Sequence, residues 1–246
     1  MIRTVQRRTV LASLAALPAA ALLAACSDSG SDSGSGGGQA EAPAPEAPAT
    51  PAPATPPAAN LPTPSGKVDM ARLLEPGALP EMTIGDPDAP VTIVEYASMT
   101  CGHCATFHNE TLPAIKENYI DTGKARLVFR EFPFDPRAEA GFMLARCSDD
   151  RYFAMVDVLF KQQRAWAAVD NAREALLQIA RLAGFSQESF EACLTNQQLL
   201  DDVRAVRTRG ANDFGIDATP TFFINGNKYS GALRVAEMSA IIDSLL

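Results

Sequence analysis

The stretch Met99-Thr100-Cys101-Gly102-His103-Cys104 places two cysteines two residues apart. An apolar, β-forming run over residues 91–97 leads into it, and a helical pattern follows. A Cys-x-x-Cys pair at such a strand-to-helix junction indicates thiol–disulfide chemistry in one context and metal binding in another. The sequence on either side of the motif is needed to distinguish these two functions.

The segment before the cysteines, Val91-Thr-Ile-Val-Glu-Tyr96, predicts a central strand that is covered on both faces. Glu95 interrupts its apolar character. Its carboxylate either reaches water near the strand end or lies buried beneath the cysteines, and we favour the buried position. After Cys104, apolar residues recur at steps of three and four, which predicts a helix. His108 lies in this helix, where we expect a solvated surface histidine.

The remaining pattern indicates an α/β fold with a helical insert. Residues 124–132 predict a second strand, and residues 137–212 contain helical patterns without a convincing strand. Sheet pattern returns at Thr219-Pro-Thr-Phe-Phe-Ile-Asn-Gly226, where Asn225-Gly226 indicates a hairpin. Residues 235–246 form an amphipathic pattern that predicts a closing helix.

Disulfide exchange requires an accessible thiolate and a second thiol that resolves the mixed disulfide. Cys101 at a helix start meets the first requirement, since free N–H groups and the positive end of the helix dipole stabilise a thiolate. His103 can add positive or hydrogen-bonding character, and Gly102 allows close backbone approach. Cys104, one turn into the helix, can close the ring.

Together, Glu95, Cys101-Gly-His-Cys104, the helical insert and Thr219-Pro220 resemble the DsbA-like branch of thioredoxin-fold proteins over about residues 67–246. The resemblance implies a periplasmic thiol:disulfide oxidoreductase that acts on reduced exported proteins and is reoxidised by a membrane quinone-linked partner of the DsbB type. It implies Cys101 as nucleophile, Cys104 as resolving thiol and Glu95 as proton relay. It also implies that Pro220 is cis and faces the cysteines. No cofactor is expected beyond the redox-active disulfide of Cys101 and Cys104.

Two residue choices leave the direction of the reaction open. Gly102-His103 between the cysteines resembles protein disulfide isomerase, and Thr219 before the proline resembles the isomerase-like DsbC and DsbG group. An isomerase or reductase of the same fold is therefore an alternative. Those isomerases carry an N-terminal dimerisation domain, whereas this chain has a structureless segment there, so we expect a monomer.

The N-terminal region predicts export and anchoring. Residues 1–25 have a charged start with Arg3, Arg7 and Arg8 and then an apolar run, as in a signal peptide. Leu23-Ala-Ala-Cys26 resembles a bacterial lipobox, which predicts lipidation of Cys26. Residues 26–66 are rich in Ser and Gly and then in Ala and Pro, so we expect a disordered tether. The location predicted is the periplasm, at a membrane.

The charge balance argues against a nucleic-acid partner. Without residues 1–25 the chain has 18 basic and 29 acidic side chains, a formal charge of −11, whereas binding to phosphates requires a basic surface.

Two further cysteines, Cys147 and Cys193, fall on apolar helical faces of the insert. They are either two separate buried thiols or a structural disulfide, and export favours the disulfide.

The rival interpretation from another functional class is a Cu(I) carrier. The Met99-x-Cys101-x-x-Cys104 spacing matches the loop of heavy-metal-associated domains, and thiolates suit Cu(I). Those domains are small βαββαβ units without a long helical insert, so we rank this interpretation lower.

Overall fold

The computed structural model describes residues 61–246, so the predicted signal peptide, Cys26 and most of the predicted tether lie outside the described residues. Six strands form one sheet in the order β1-β6-β5-β3-β4-β2. Their bounds are β1 (Gly66–Lys67), β2 (Met82–Ile84), β3 (Val91–Ala97), β4 (Ala125–Glu131), β5 (Thr221–Ile224) and β6 (Asn227–Ser230). Strand β3 runs parallel to β4 and antiparallel to β5, so the sheet is mixed.

Ten α-helices flank the sheet in this part of the chain. They are α1 (Met70–Leu73), α2 (Gly102–Thr106), α3 (Leu112–Ile115), α4 (Pro136–Arg146), α5 (Tyr152–Lys161), α6 (Gln163–Trp166), α7 (Ala172–Leu182), α8 (Gln187–Leu194), α9 (Gln197–Phe214) and α10 (Val235–Asp243). Helices α4 to α9 lie between β4 and β5 in the chain and form the predicted insert. The predicted fold class, an α/β sheet with an inserted helical subdomain, is confirmed.

Strand β3 is buried along its whole length and organises the core. Because side chains alternate across a strand, Val91 and Ile93 pack on one face with Phe107 and α10. Val94 and Tyr96 pack on the other face. Glu95 follows the parity of Val91 and Ile93, so its carboxylate points toward the helix that carries the cysteines.

That helix is continuous from Gly102 to Ile120, but its hydrogen bonding changes along the way. A π-helical turn, Phe107–Thr111, lies between α2 and α3, and a second one, Lys116–Ile120, follows α3. The first turn buries both Phe107 and His108.

The insert is delimited by residues that stop and start helices. Asp135 caps α4 by accepting hydrogen bonds from two backbone N–H groups, and Pro136 occupies the first turn, where its missing donor costs nothing. Asn196 caps α9, which ends at Gly215 with φ of 61°.

Of residues 61–246, none belongs to a helix with both the length and the apolar character needed to cross a membrane.

The predicted hairpin is present, and two edge strands were missed. Asn225 and Gly226 both have positive φ, as a two-residue type I′ turn requires, and they join β5 to β6. A side chain at Gly226 would collide with the carbonyl oxygen of Val68, at 2.7 Å. Strands β1 and β2 were not predicted, and they extend the sheet at its two edges.

Candidate active site

Cys101 is the N-cap residue of α2, with an extended backbone at φ −77° and ψ 118°. The pKa of its thiol is lowered to about 5. The largest cause is a hydrogen bond from the Cys104 side chain, which outweighs the opposing effect of partial burial. The Thr219 side chain and the backbone N–H groups of Cys104 and His103 stabilise the thiolate further.

Cys104 is completely buried, and both cysteines are free thiols in this structure. The pKa of the Cys104 thiol is raised well above its ordinary value, first by burial, then by the hydrogen bond to Cys101 and then by the negative charge of Glu95. The two thiols are therefore unequal. Cys101 is a partly exposed thiolate at neutral pH, and Cys104 is a buried thiol behind it.

Glu95 has no exposed surface, and its partner is His108. The His108 Nε2 atom lies 3.1 Å from Oε1 and 3.0 Å from Oε2 of Glu95. The prediction of a solvated surface histidine at position 108 is wrong, because the π-helical turn and the apolar stripe carry its ring into the core, where only 4% of the side chain is exposed.

Thr219 and Pro220 lie opposite Cys101 and are joined by a cis peptide bond. When Cys101 is protonated, its thiol donates a hydrogen bond to the carbonyl oxygen of Thr219, with 3.3 Å between the sulfur and the oxygen. The hydroxyl of Thr219 is buried and has no hydrogen-bond partner among the described residues, so it is available to the Cys101 thiolate, and the Thr219 side chain lowers the pKa of Cys101. The structure thus brings together residues that are 118 positions apart in the chain.

The loop before Cys101 is fixed by side chains from the insert. The amide of Gln163 donates from Nε2 to the carbonyl oxygens of both Met99 and Cys101, at 2.9 Å each. Thr100 donates its hydroxyl to Asp135, at 2.5 Å. Because Asp135 also caps α4, the loop before Cys101 and the first helix of the insert share one hydrogen-bonded junction.

His103 has an exposed side chain at the outer surface of α2, so it can meet a substrate but does not support the buried thiol. Gly102 is also exposed, and a Cβ at this position would meet no atom within 4 Å. These two residues therefore form the accessible surface beside Cys101.

Cys147 and Cys193 form a disulfide with a Cα–Cα distance of 6.2 Å. Cys147 is the C-cap residue of α4, and Cys193 lies in α8, so the bond joins two helices of the insert. It closes a loop with a sequence separation of 46 and does not involve Cys101 or Cys104.

Two residues at the site escaped the sequence interpretation. His108 lay on the same apolar stripe as Leu112 and Ile115, and this spacing was the available signal for its burial. Gln163 carried no such signal, because its two acceptors lie in a loop more than 60 positions earlier in the chain.

Comparison with known proteins agrees with this geometry. The sequence model of a family described as thioredoxin matches residues 78–244. A Rickettsia bellii protein, provisionally named a protein-disulfide oxidoreductase, is 32% identical over 168 residues, which cover 68% of this chain and 64% of that protein. A Bacillus anthracis protein, provisionally named disulfide bond formation protein D, is 30% identical over 154 residues, which cover 60% of this chain and 70% of the relative.

The Rickettsia relatives are longer than the matched region. The chain spans 64% of the Rickettsia bellii protein and 55% of its Rickettsia typhi counterpart. Among solved structures, Wolbachia pipientis alpha-DsbA1 superposes with a TM-score of 0.65 at 36% identity, covering 71% of this chain and 94% of that one. Bacillus subtilis BdbD superposes with a TM-score of 0.60 at 19% identity, a likeness of fold.

Proposed function

The chain belongs to the thioredoxin family, and we propose that it is a thiol:disulfide oxidoreductase that oxidises reduced exported proteins through Cys101 and Cys104. The observation that carries this proposal is the inequality of the two thiols. The Cys101 thiol has a pKa of about 5 and is partly exposed, whereas the Cys104 thiol is buried with a raised pKa. In such a pair, the accessible Cys101 sulfur is the one that attacks and is attacked, and the Cys104 thiol resolves the mixed disulfide that forms there.

The reaction starts from the Cys101–Cys104 disulfide. A substrate thiolate attacks the accessible Sγ of Cys101, the bond between the two cysteines breaks, and Cys104 leaves as a thiolate that takes up a proton. A second substrate thiolate then attacks the substrate sulfur of the mixed disulfide. Cys101 leaves as a thiolate, the substrate loses two electrons to form its disulfide, and the protein is left as a dithiol.

The low pKa of Cys101 sets the direction. A stable Cys101 thiolate is a good leaving group and stabilises the reduced protein, which makes the disulfide form oxidising. We therefore favour the oxidase over the isomerase or reductase alternative that Gly102-His103 and Thr219 left open.

Glu95 is the group that exchanges the proton of Cys104 in this proposal. It lies on the same face of β3 as the core beneath α2 and is fully buried, and its charge is felt by Cys104. When the disulfide breaks, Glu95 supplies the proton, and when it forms again, Glu95 accepts it. Pro220 and Thr219 face the attacked sulfur, and the backbone there can align a substrate peptide.

Reoxidation requires an external oxidant, for which we propose a membrane quinone-linked protein of the DsbB type. We further propose that residues 1–25 direct export, that Cys26 is lipidated, and that residues 26–66 tether a monomeric domain of residues 67–246 to a membrane facing the periplasm. The support for this part is the sequence pattern.

A refolding assay tests the function. The oxidised protein should form disulfides in a reduced, unfolded substrate stoichiometrically, and Cys101→Ser should abolish this. A scrambled-disulfide substrate and an insulin-reduction assay, run in parallel, separate the oxidase from the isomerase and the reductase. The oxidase proposal is contradicted if the oxidised protein leaves reduced substrate unchanged.

The Cu(I) interpretation receives less support. The six-stranded sheet and the inserted helices are unlike a small βαββαβ metal-binding unit. Cys104, one of the two required ligands, is wholly buried beneath α2. Stoichiometric Cu(I) binding without activity on reduced substrate would favour it.

A further inference from the structure

His108 lies between buried Glu95 and a surface groove. We infer that His108 exchanges a proton with solvent each time Glu95 gives a proton to Cys104 or takes one from it, and so couples the buried carboxylate to the groove. This inference rests on the function proposed above and deepens it. His108 acts through Glu95, so it is a positioning residue rather than one that touches the reacting sulfur.

The contact between His108 and Glu95 has a geometry that couples their protonation. A single ring nitrogen, Nε2 of His108, lies within 3.1 Å of both oxygens of Glu95. A carboxylate only accepts hydrogen bonds, so the hydrogen lies on Nε2 when Glu95 is ionised. The second nitrogen, Nδ1, is left to exchange a proton elsewhere.

The surface groove is where we expect Nδ1 to exchange its proton with solvent. It has a volume of about 420 Å³, and His108 is part of its wall together with Ile84, Leu112, Lys116, Phe153 and Asp157. Glu95 is not part of the wall and has no exposed surface. His108 therefore contacts both the buried carboxylate, through Nε2, and the groove.

Aromatic side chains hold the ring in this orientation. His108 stacks on Phe160 with 4.3 Å between ring centroids, and Phe129 and Phe107 approach it edge-on at 5.2 Å and 5.6 Å. In such apolar surroundings a buried carboxylate depends strongly on its single partner. The three aromatic rings therefore hold the imidazole beside Glu95.

The charged groups around His108 leave the path open. From β3 it faces Glu95, whose negative charge also acts on Cys104 of α2 and on Tyr152 of α5. At the groove, Lys161 pairs with Asp157 at 2.7 Å, and Lys116 pairs with Asp121, which lies outside the wall, at 2.5 Å. Both are exposed ion pairs, and among the ionisable side chains of the wall His108 is the one hydrogen-bonded to Glu95.

The proton movements balance over one cycle. When the disulfide breaks, Glu95 gives its proton to the Cys104 thiolate, and Nδ1 of His108 takes one from solvent, which leaves an imidazolium paired with the Glu95 carboxylate. When the disulfide forms again, the Cys104 thiol returns a proton to Glu95, and Nδ1 releases one to solvent. Nε2 keeps its hydrogen throughout, and one solvent proton enters and one leaves in each cycle.

The test isolates the step in which Cys104 must lose its proton. Reduced protein is mixed with glutathione disulfide, quenched with acid at intervals and analysed by mass. Attack by Cys101 forms a glutathione mixed disulfide, and attack by Cys104 resolves it. His108→Gln keeps an N–H donor for Glu95 but has no second titratable nitrogen. We expect it to slow resolution at least about tenfold while formation changes by less than about twofold.

His108→Ala with added imidazole supplies a second readout. It opens space toward the groove, and free imidazole should restore its resolution rate. Lys116→Gln, which alters the groove wall without touching Glu95, is the matched control and should behave as the wild type. Wild-type resolution in His108→Gln, or no rescue of His108→Ala by imidazole, would overturn the relay. A wild-type protein that forms no mixed disulfide at all would instead contradict the oxidoreductase proposal, so the two failures are distinguishable.

Discussion

The Sγ atom of Cys101 lies 3.3 Å from the carbonyl oxygen of Thr219, the residue that precedes cis Pro220. This contact joins the start of α2 to the start of β5, at the edge of the sheet where β3 ends. It places the accessible sulfur beside a backbone segment and a hydroxyl that both act on it.

Replacing Thr219 by Val should raise the pKa of Cys101. The Thr219 side chain stabilises the thiolate, and valine keeps the shape but cannot donate. A hydrogen bond to a charged group contributes roughly 1.5 kcal/mol or more, so we expect an increase on the order of one pKa unit in this partly exposed site. Ultraviolet absorbance of the thiolate against pH measures it, and Thr219→Ser, which retains the hydroxyl, is the control. An unchanged titration in Thr219→Val would show that the hydroxyl does not act on the sulfur.

Gln163 should control the reactivity of Cys101 from the insert. Gln163→Glu replaces the donor to two carbonyl oxygens with a negative charge beside the redox loop, which disfavours the thiolate. We expect slower alkylation of Cys101 by iodoacetamide near pH 6, with the rate difference shrinking at high pH. Gln162→Glu adds the same charge one residue earlier, at an exposed position, and should alkylate at the wild-type rate. Equal slowing of alkylation in both variants would mean that the added charge, and not the loss of the two hydrogen bonds from Gln163, is responsible.

The disulfide between Cys147 and Cys193 should stabilise the insert. A sequence separation of 46 corresponds to a contribution of about 2–4 kcal/mol to the free energy of unfolding. The Cys147→Ala/Cys193→Ala double variant should lose about this amount in urea denaturation. The Cys101→Ser/Cys104→Ser variant keeps the bond and should retain the stability of the insert. Identical midpoints for the wild type and the Cys147→Ala/Cys193→Ala variant would contradict a structural role for the bond.

The reduced protein should gain stability as pH rises through the range in which Cys101 is ionised only when folded. The pKa is about 5 in the folded protein against an ordinary value of 9.0. The unfolded chain therefore binds one more proton between these values, and the stabilisation is lost as pH falls through 5. The difference in Tm between the reduced wild type and Cys101→Ser should grow from pH 5 toward pH 9. A constant difference across this range would contradict the lowered pKa.

The central sheet could be predicted because its strands carry dense local signals. Residues 91–97 and 124–132 are rich in β-forming apolar residues, and the Asn225-Gly226 turn fixes one hairpin. Strands Gly66–Lys67 and Met82–Ile84 escaped prediction because they are two and three residues long. Edge pairing of this kind depends on a partner strand and leaves little pattern in the sequence.

The residues of the site also fall into those with a sequence signal and those without one. Cys101 and Cys104 form a local motif, and Glu95 and Thr219-Pro220 were found by resemblance. The burial of His108 depends on a π-helical turn, Phe107–Thr111, whose hydrogen bonding the helical periodicity did not predict. The contact from Gln163 depends on how the insert folds back over the loop, a tertiary arrangement that no local spacing encodes.

Thiolate titration of the reduced wild-type protein, with Cys101→Ser for comparison, measures the pKa on which the proposed oxidase depends. We expect one sulfur that ionises with a pKa of about 5 and is absent from the variant, while Cys104 stays protonated far above that pH. A Cys101 thiol that titrates near its ordinary value of 9.0 would show that the two thiols are not unequal in this way and would rule out the oxidase.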